Sequence, residues 1–328
     1  EAFGMLWAVL QDFMDWGAVR TVTALDARFE QIIPHLSRNT LPADEVYAAL
    51  PGDHESVYLS LLKRCEAVLV IAPETDGILT TLTELAEVEG KRLIGSSSTA
   101  TATAGNKAVC SRLFDLANLP APESRVASFA DVSHVASSLG CPLVAKPLDG
   151  VGCEGVCRLD RISDLPKALA LIRQYSSREQ ILLQTLAHGI PASVSLLVAG
   201  KHCLPLSLNL QLMDSGQQFQ YRGSQVPFDH PARNRAMDLA LRAAGLIPGL
   251  NGYVGVDLVL GEEDVQLIEM NPRLTTSYIG LRQVSRVNLA HAMWAACLEA
   301  TLPDGISLEG SVIVKKDDPA TWNLSRPG

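Results

Sequence analysis

The chain has 328 residues, more than one ordinary domain needs, and its 47% apolar share is ample for large cores. A formal net charge of −9 without a basic stripe excludes a nucleic-acid partner. No apolar run reaches membrane-spanning length, no signal peptide is visible, and seven scattered cysteines fit reduced thiols in the cytoplasm. Cys153 and Cys157 lie close together, but no second pair or nearby histidine completes a zinc set.

In chain order, an amphipathic helix is predicted over 3–16. In an α/β unit a strand should come before it, so residues upstream of Glu1 are expected. Strands are predicted over 19–25, 65–72 and 92–95, with helices over 57–63 and 79–89 between them. This alternation implies a parallel sheet with covered faces, in a first α/β domain over 1–95. A small-residue loop over 96–103 leads to Lys107 and a helix over 108–117. A helix over 132–139, a strand over 142–147, a strand over 156–159, a helix over 165–175 and a strand over 180–184 follow. Strands over 192–198 and 203–210 form a meander, 233–244 is helical, and a helix over 288–300 closes the core. Antiparallel strands with helices on one side make this half α+β.

The most informative feature lies just before that last helix. Gly255–Leu260 and Leu267–Arg273 read as two short apolar strands, each carrying an acid, joined by the polar turn 261–264. Side chains two apart on a strand share a face, so Glu269 and Asn271 point together. With Asp257 opposite, three oxygen ligands converge, a set suited to Mg²⁺ held against phosphates. Arg273 adds a planar cation able to grip phosphate or carboxylate two-pronged.

Gly150, Gly152 and Gly155 match G-x-G-x-x-G. A dinucleotide-binding turn would need a helix next, whereas 156–159 is strand-like, so the loop reads as a hairpin tip. Such glycines let backbone N–H groups close over phosphate, although a plain structural hairpin stays open as a reading. Lys146, at the end of the strand before it, is either a snorkelling edge residue or a phosphate cation. Lys107 is either a phosphate lysine or a solvated start to its helix. Glu74 and Asp76 follow a buried parallel strand, where open sheets bind ligands. They are candidates to hold an amine, or acids near the positive end of the next helix.

As an ordered set, Lys107, Lys146, the glycine loop, Gln184, Asp257 and Glu269-x-Asn271-Pro272-Arg273 resemble the ATP-grasp superfamily over roughly 96–300. The resemblance implies an ATP-grasp fold with an N-terminal parallel-sheet (pre-ATP-grasp) domain. It implies an ATP-grasp domain over 96–310, with a lid subdomain near 120–185, and a C-terminal segment over 311–328. It assigns Lys107, Lys146, Gly150, Gly152, Gly155, Gln184, Thr185 and Leu186 to ATP, with hinge backbone at 184–186 on adenine. Asp257, Glu269 and Asn271 would take Mg²⁺, or Mn²⁺ in its place, and Arg273 and Asn271 would be catalytic. Pro191 stands where many members carry a ribose-binding acid, which leaves ribose recognition open. Residues 220–223 are similar to a Tyr-x-Gly segment near phosphates, with Arg222 a substrate candidate or a solvated loop arginine. Thr275, Thr276 and Ser277 offer hydroxyls beside the reaction centre.

Shorter phrases, Asn271–Tyr278, Pro73–Asp76 and the opening Glu1–Met5, resemble the tyramine–glutamate ligase group. That resemblance implies a cytoplasmic enzyme, compatible with a homodimer, joining a small-molecule carboxylate to an amine through an acyl phosphate, as in methanofuran biosynthesis. A kinase or carboxylase on the same fold, or a nucleotide-binding regulator without turnover, is the alternative.

Overall fold

The computed structural model describes residues 2–29, 41–318 and 321–325. Helix α1 (Ala2–Trp16) precedes β1 (Val22–Asp26), which pairs in parallel with β2 (Glu45–Ala49). After α2 (His54–Leu62), β3 (Ala67–Val68) pairs in parallel with β4 (Arg92–Leu93) across α3 (Ile78–Val88). The expected parallel pairing is present, but as two two-stranded pieces. The apolar run 65–72 pairs only at Ala67 and Val68, because its partner β4 offers just two residues.

The stretch read as a small-residue loop is largely helical: α4 spans Ser98–Ala104. Ser97 caps it, its side chain accepting the Ala100 N–H, and buried Ala100, Thr101 and Ala104 supply the packing that weak local propensity does not. Asn106 likewise caps α5 (Lys107–Leu116) through the Ala108 and Val109 N–H groups. The cap sets Lys107 as the first residue of its helix.

A four-stranded antiparallel sheet forms the lid, in the order β5 (Ser124–Ser128), β8 (Gln180–Thr185), β6 (Leu143–Pro147), β7 (Cys157–Leu159). Helices α6 (Val132–Leu139) and α7 (Leu165–Ile172) cover it, burying Leu143, Leu159, Ile172, Ile181 and Leu183.

The large sheet is antiparallel and seven-stranded: β13 (Val265–Asn271), β12 (Gly252–Leu260), β9 (Ile190–Ala199), β10 (His202–Ser215), β11 (Phe219–Val226), β14 (Val312–Asp318), β15 (Thr321–Ser325). Helices cover both faces, not one as expected. Alternation explains it: Val194, Leu196 and Val256 pack with α4, α5 and α8 (Arg233–Ala244). Leu197, Ala199 and Tyr253 pack with α1, α9 (Ser277–Val284) and α10 (Leu289–Leu298) on the other face. There Asp12 of α1 accepts hydrogen bonds from Tyr278 and, at 2.8 Å, from Arg282, while its backbone carbonyl takes Asn288 Nδ2. Among the described residues no helix is long and apolar enough to cross a membrane.

Candidate active site

Between lid and large sheet lies a cavity of about 440 Å³, a size suited to a small molecule. Its floor is the β12–β13 hairpin. Register sets Asp257 opposite Glu269 and Gly255 opposite Asn271, with a bulge after Asp257. Gly255 permits this arrangement, since a Cβ there would come within 2.5 Å of Thr275 Cγ2. Asn271 Nδ2 donates to Asp257 Oδ2 at 3.3 Å, and Gln211 Nε2 donates to Asp257 Oδ1 at 3.0 Å.

Two lysines close the other side. Lys146 is 2% exposed and donates to Gln184 Oε1 at 3.0 Å, so it is not a snorkelling edge residue. Lys107 is 8% exposed and donates to the Gly150 carbonyl at 2.9 Å, with Glu269 Oε2 at 3.5 Å. It is therefore not a solvated helix start. The glycine loop joins antiparallel β6 and β7, so no helix follows and the dinucleotide-binding reading falls. Gly150 and Gly152 line the cavity at φ 130° and 62°. Gly155 does not line it; at φ 72° it turns the chain into β7 against Pro147 and Tyr175. The lid is closed. Arg158 N–H donates to the Gln217 carbonyl at 2.8 Å, and Phe219 N–H to the Val156 carbonyl at 3.1 Å.

The electrostatics are uneven. Burial, then the negative charge of Glu269, pushes Asp257 up to about 7 against the pull of Asn271, Lys107 and Arg273. Burial acts on Glu269 in the same sense, but Lys107, Lys146 and Arg273 outweigh it and hold Glu269 below its usual range. Burial lowers Lys146; it also opposes the charge on Lys107, yet Glu269 and Glu74 raise Lys107 on balance. The resulting floor carries two carboxylates and an amide oxygen facing two ammonium groups. Two carboxylates and one amide fit a hard divalent cation that completes its shell with phosphate oxygens and water. Among the described residues no cluster of three or more His, Cys, Asp or Glu suits a metal held by the protein alone.

The hinge residues Gln184, Thr185 and Leu186 line the cavity, although the Leu186 N–H is engaged by the Pro142 carbonyl at 3.2 Å. Arg273, Thr275, Thr276 and Ser277 line it too. Three expected substrate residues are not brought to the cavity. Arg222 is the extra residue of a β10–β11 bulge, and its half-exposed side chain pairs with Asp214 at 2.7 Å. Asp76 donates its N–H to Asp149 Oδ2 at 3.1 Å, and its carboxylate lies 3.5 Å from Ser177 Oγ. Glu74 is buried on Arg273, Oε2 to Nη2 2.8 Å, and makes no capping bond to the turn after it. Gln211 escaped the sequence reading, as did the contact between Tyr221 Oη and Thr276 Oγ1 at 2.6 Å. No local signal marks Gln211, because only strand order across β9 carries it to Asp257.

Comparison with known proteins agrees with this architecture. The ATP-grasp domain family matches residues 104–277 and the pre ATP-grasp 3 domain family matches residues 19–101. The chain belongs to the ATP-grasp family and has the expected fold. It is 32% identical over 231 residues to the tyramine–L-glutamate ligase of Methanocaldococcus jannaschii, covering 70% of this chain and 63% of that protein. The chain thus spans less than two thirds of that relative's length. It is 36% identical over 107 residues to the D-alanine–D-alanine ligase of Gloeobacter violaceus, covering 31% of this chain and 35% of that one. The biotin carboxylase domain of Hydrogenobacter thermophilus 2-oxoglutarate carboxylase, solved with MgADP and bicarbonate, superposes with a TM-score of 0.79. At 18% identity, over 95% of this chain and 72% of that one, the likeness is one of fold.

Proposed function

We propose that this protein is an ATP-dependent carboxylate–amine ligase. The observation that carries the reading is the pairing of Asp257, Glu269 and Asn271 with Lys107 and Lys146 across one lidded cavity. In this reading a substrate carboxylate attacks the γ-phosphate and gives an acyl phosphate. An amine then displaces phosphate to form the amide. Lys107 and Lys146 hold phosphate oxygens, Gly150 and Gly152 offer backbone N–H groups, and the 184–186 hinge meets adenine. Arg273 steadies the transferring group, with Thr275, Thr276 and Ser277 beside it. Asp257, Glu269 and Asn271 would hold Mg²⁺, or Mn²⁺, which when bound neutralises charge on the phosphates. The chemistry rests on positioning and charge neutralisation, with no protein nucleophile.

The name of the Methanocaldococcus jannaschii relative supports a finer reading, glutamate joined to tyramine or a similar amine; a methanofuran-type pathway, the cytoplasm and a homodimer are part of the same proposal. Domain limits at 1–95 and 96–310 with a lid near 120–185 belong to the same proposal, with 311–328 as a C-terminal segment that adds β14 and β15 to the large sheet. Amine-dependent ADP release with glutamate present tests the reaction. Hydroxylamine trapping of the acyl phosphate separates a ligase from a kinase, and ADP release independent of any amine would count against the ligase.

A further inference from the structure

The contact between Glu74 and Arg273 joins the N-terminal unit to the end of β13, 199 residues apart in sequence. Both side chains are nearly closed off, at 6% and 11% exposure. The pairing is one-pronged. Arg273 Nη2 meets Glu74 Oε2 at 2.8 Å and Nη1 meets the Leu274 carbonyl at 3.0 Å, while Glu74 Oε1 and Arg273 Nε are buried without a partner. A buried ion pair is costly unless its remaining atoms are satisfied, so a pair serving stability alone would be expected to close as a fork. The carboxylate is also tightly seated, since a Cβ on Gly105 would meet Glu74 Cγ at 2.9 Å.

Glu74 starts from a fixed backbone. The Gly77 N–H donates to its carbonyl at 3.0 Å and the Leu79 N–H to the Pro73 carbonyl at 2.9 Å. Asp149, which precedes the glycine loop and is itself bound by Ser176 and Arg178, accepts the Asp76 N–H at 3.1 Å. The loop at 73–77 therefore touches both the base of the lid and the arginine at the cavity wall.

We propose that Glu74 is a positioning residue for Arg273: it anchors Nη2 from the neighbouring domain and so fixes the guanidinium at the cavity wall, where the Nη hydrogens left over from Glu74 and Leu274 serve the reacting phosphoryl group. Glu74 then acts through Arg273 and does not touch the amine. This inference rests on the ligase reading for its kinetic consequence and on geometry alone for its chemical one.

A double-mutant cycle tests the first. Glu74→Ala is expected to lower kcat about 30–100-fold with the KM for ATP within about twofold, and Glu74→Gln, which keeps an acceptor, to lose about tenfold or less. In an Arg273→Ala background Glu74→Ala should cost nothing more. Additive losses, or full activity of Glu74→Ala, would overturn the proposal. If the wild type shows no amine-dependent turnover, the ligase reading has failed and the second measurement decides. Phenylglyoxal modification of Arg273, followed by peptide mass spectrometry, should run at least about tenfold faster in folded Glu74→Ala or Glu74→Gln protein than in the wild type. An unchanged rate would show that Glu74 does not hold Arg273.

Discussion

The buried charges behind the large sheet and those at the cavity are built differently. Behind the large sheet, Asp12 receives Tyr278 and Arg282 on its two oxygens, Arg282 reaches Asp15 as well, and Asn288 takes the Asp12 carbonyl. At the cavity, among the described residues, Lys146 has only the neutral oxygen of Gln184 as a hydrogen-bond partner, Lys107 shares itself between a carbonyl and Glu269, and Asp257 faces a second carboxylate. The first cluster is complete without a ligand, while the second needs an anion and a cation to balance it. Burial of charge is common to both; incompleteness marks the one with a task.

If this contrast holds, the largest effect belongs to Glu269→Gln. It should lower ADP formation by about a thousandfold, about 4 kcal/mol at the transition state, in a protein that still folds. Coupled-assay turnover beside circular dichroism would show it, and full turnover or full activity in excess EDTA would remove the cation from the account. Asp12→Ala should do the reverse. It strips a buried pair of one partner and should destabilise the fold by about 3 kcal/mol, while nucleotide affinity stays within about threefold. Equilibrium unfolding in urea together with calorimetry would expose a mistake if ATP binding vanished and stability did not change.

Lys146→Ala should weaken ATP by about 1.5–3 kcal/mol, because a cation leaves the phosphates, yet leave the ligand-free fold as stable or more so. Isothermal titration and a thermal melt on the same sample give both halves of that expectation; an unchanged ATP affinity would end the phosphate role. The smallest effect is one of pH. The Asp257 carboxyl, raised to about 7 in the ligand-free fold, contributes stability below the ordinary carboxylate range and loses it as pH rises through about 7. Asp257→Asn lacks this loss. It should be more stable than the wild type at pH 8 by about 1–3 kcal/mol, with the gap closing towards pH 5. Melts in EDTA that run parallel across that range would contradict the raised carboxyl.

The β12–β13 hairpin was legible because two strong rules agree: alternation places Glu269 beside Asn271, and an acid inside an apolar strand asks for a partner. Helices 132–139 and 233–244 were legible from periodicity and are found over those residues. The region 96–103 was not, since its Ser and Thr residues offset the helix preference of its Ala residues and packing on α3 decides the matter. Strand β11 was hidden because Gln220, Tyr221, Arg222 and Gly223 read as a polar loop, and only the hairpin with β10 makes them extended. The site residues that moved, Glu74, Asp76 and Arg222, have partners, Arg273, Asp149 and Asp214, that the fold brings to them. Their sequence neighbourhoods resembled binding loops because turns and binding loops use the same residues.

The strap that closes the lid is made of main chain at both ends, Arg158 to Gln217 and Val156 to Phe219. No side chain takes part in those two bonds. Mutation can therefore alter the charge and bulk of the cavity wall, where Arg158 of the lid and Phe219 of the large sheet meet, and leave the clasp intact. Proline is the exception, since it would delete the donor at 158 or 219. Contact between lid and sheet and selectivity are thus separable: this cavity can change what it accepts and keep the main-chain clasp over it.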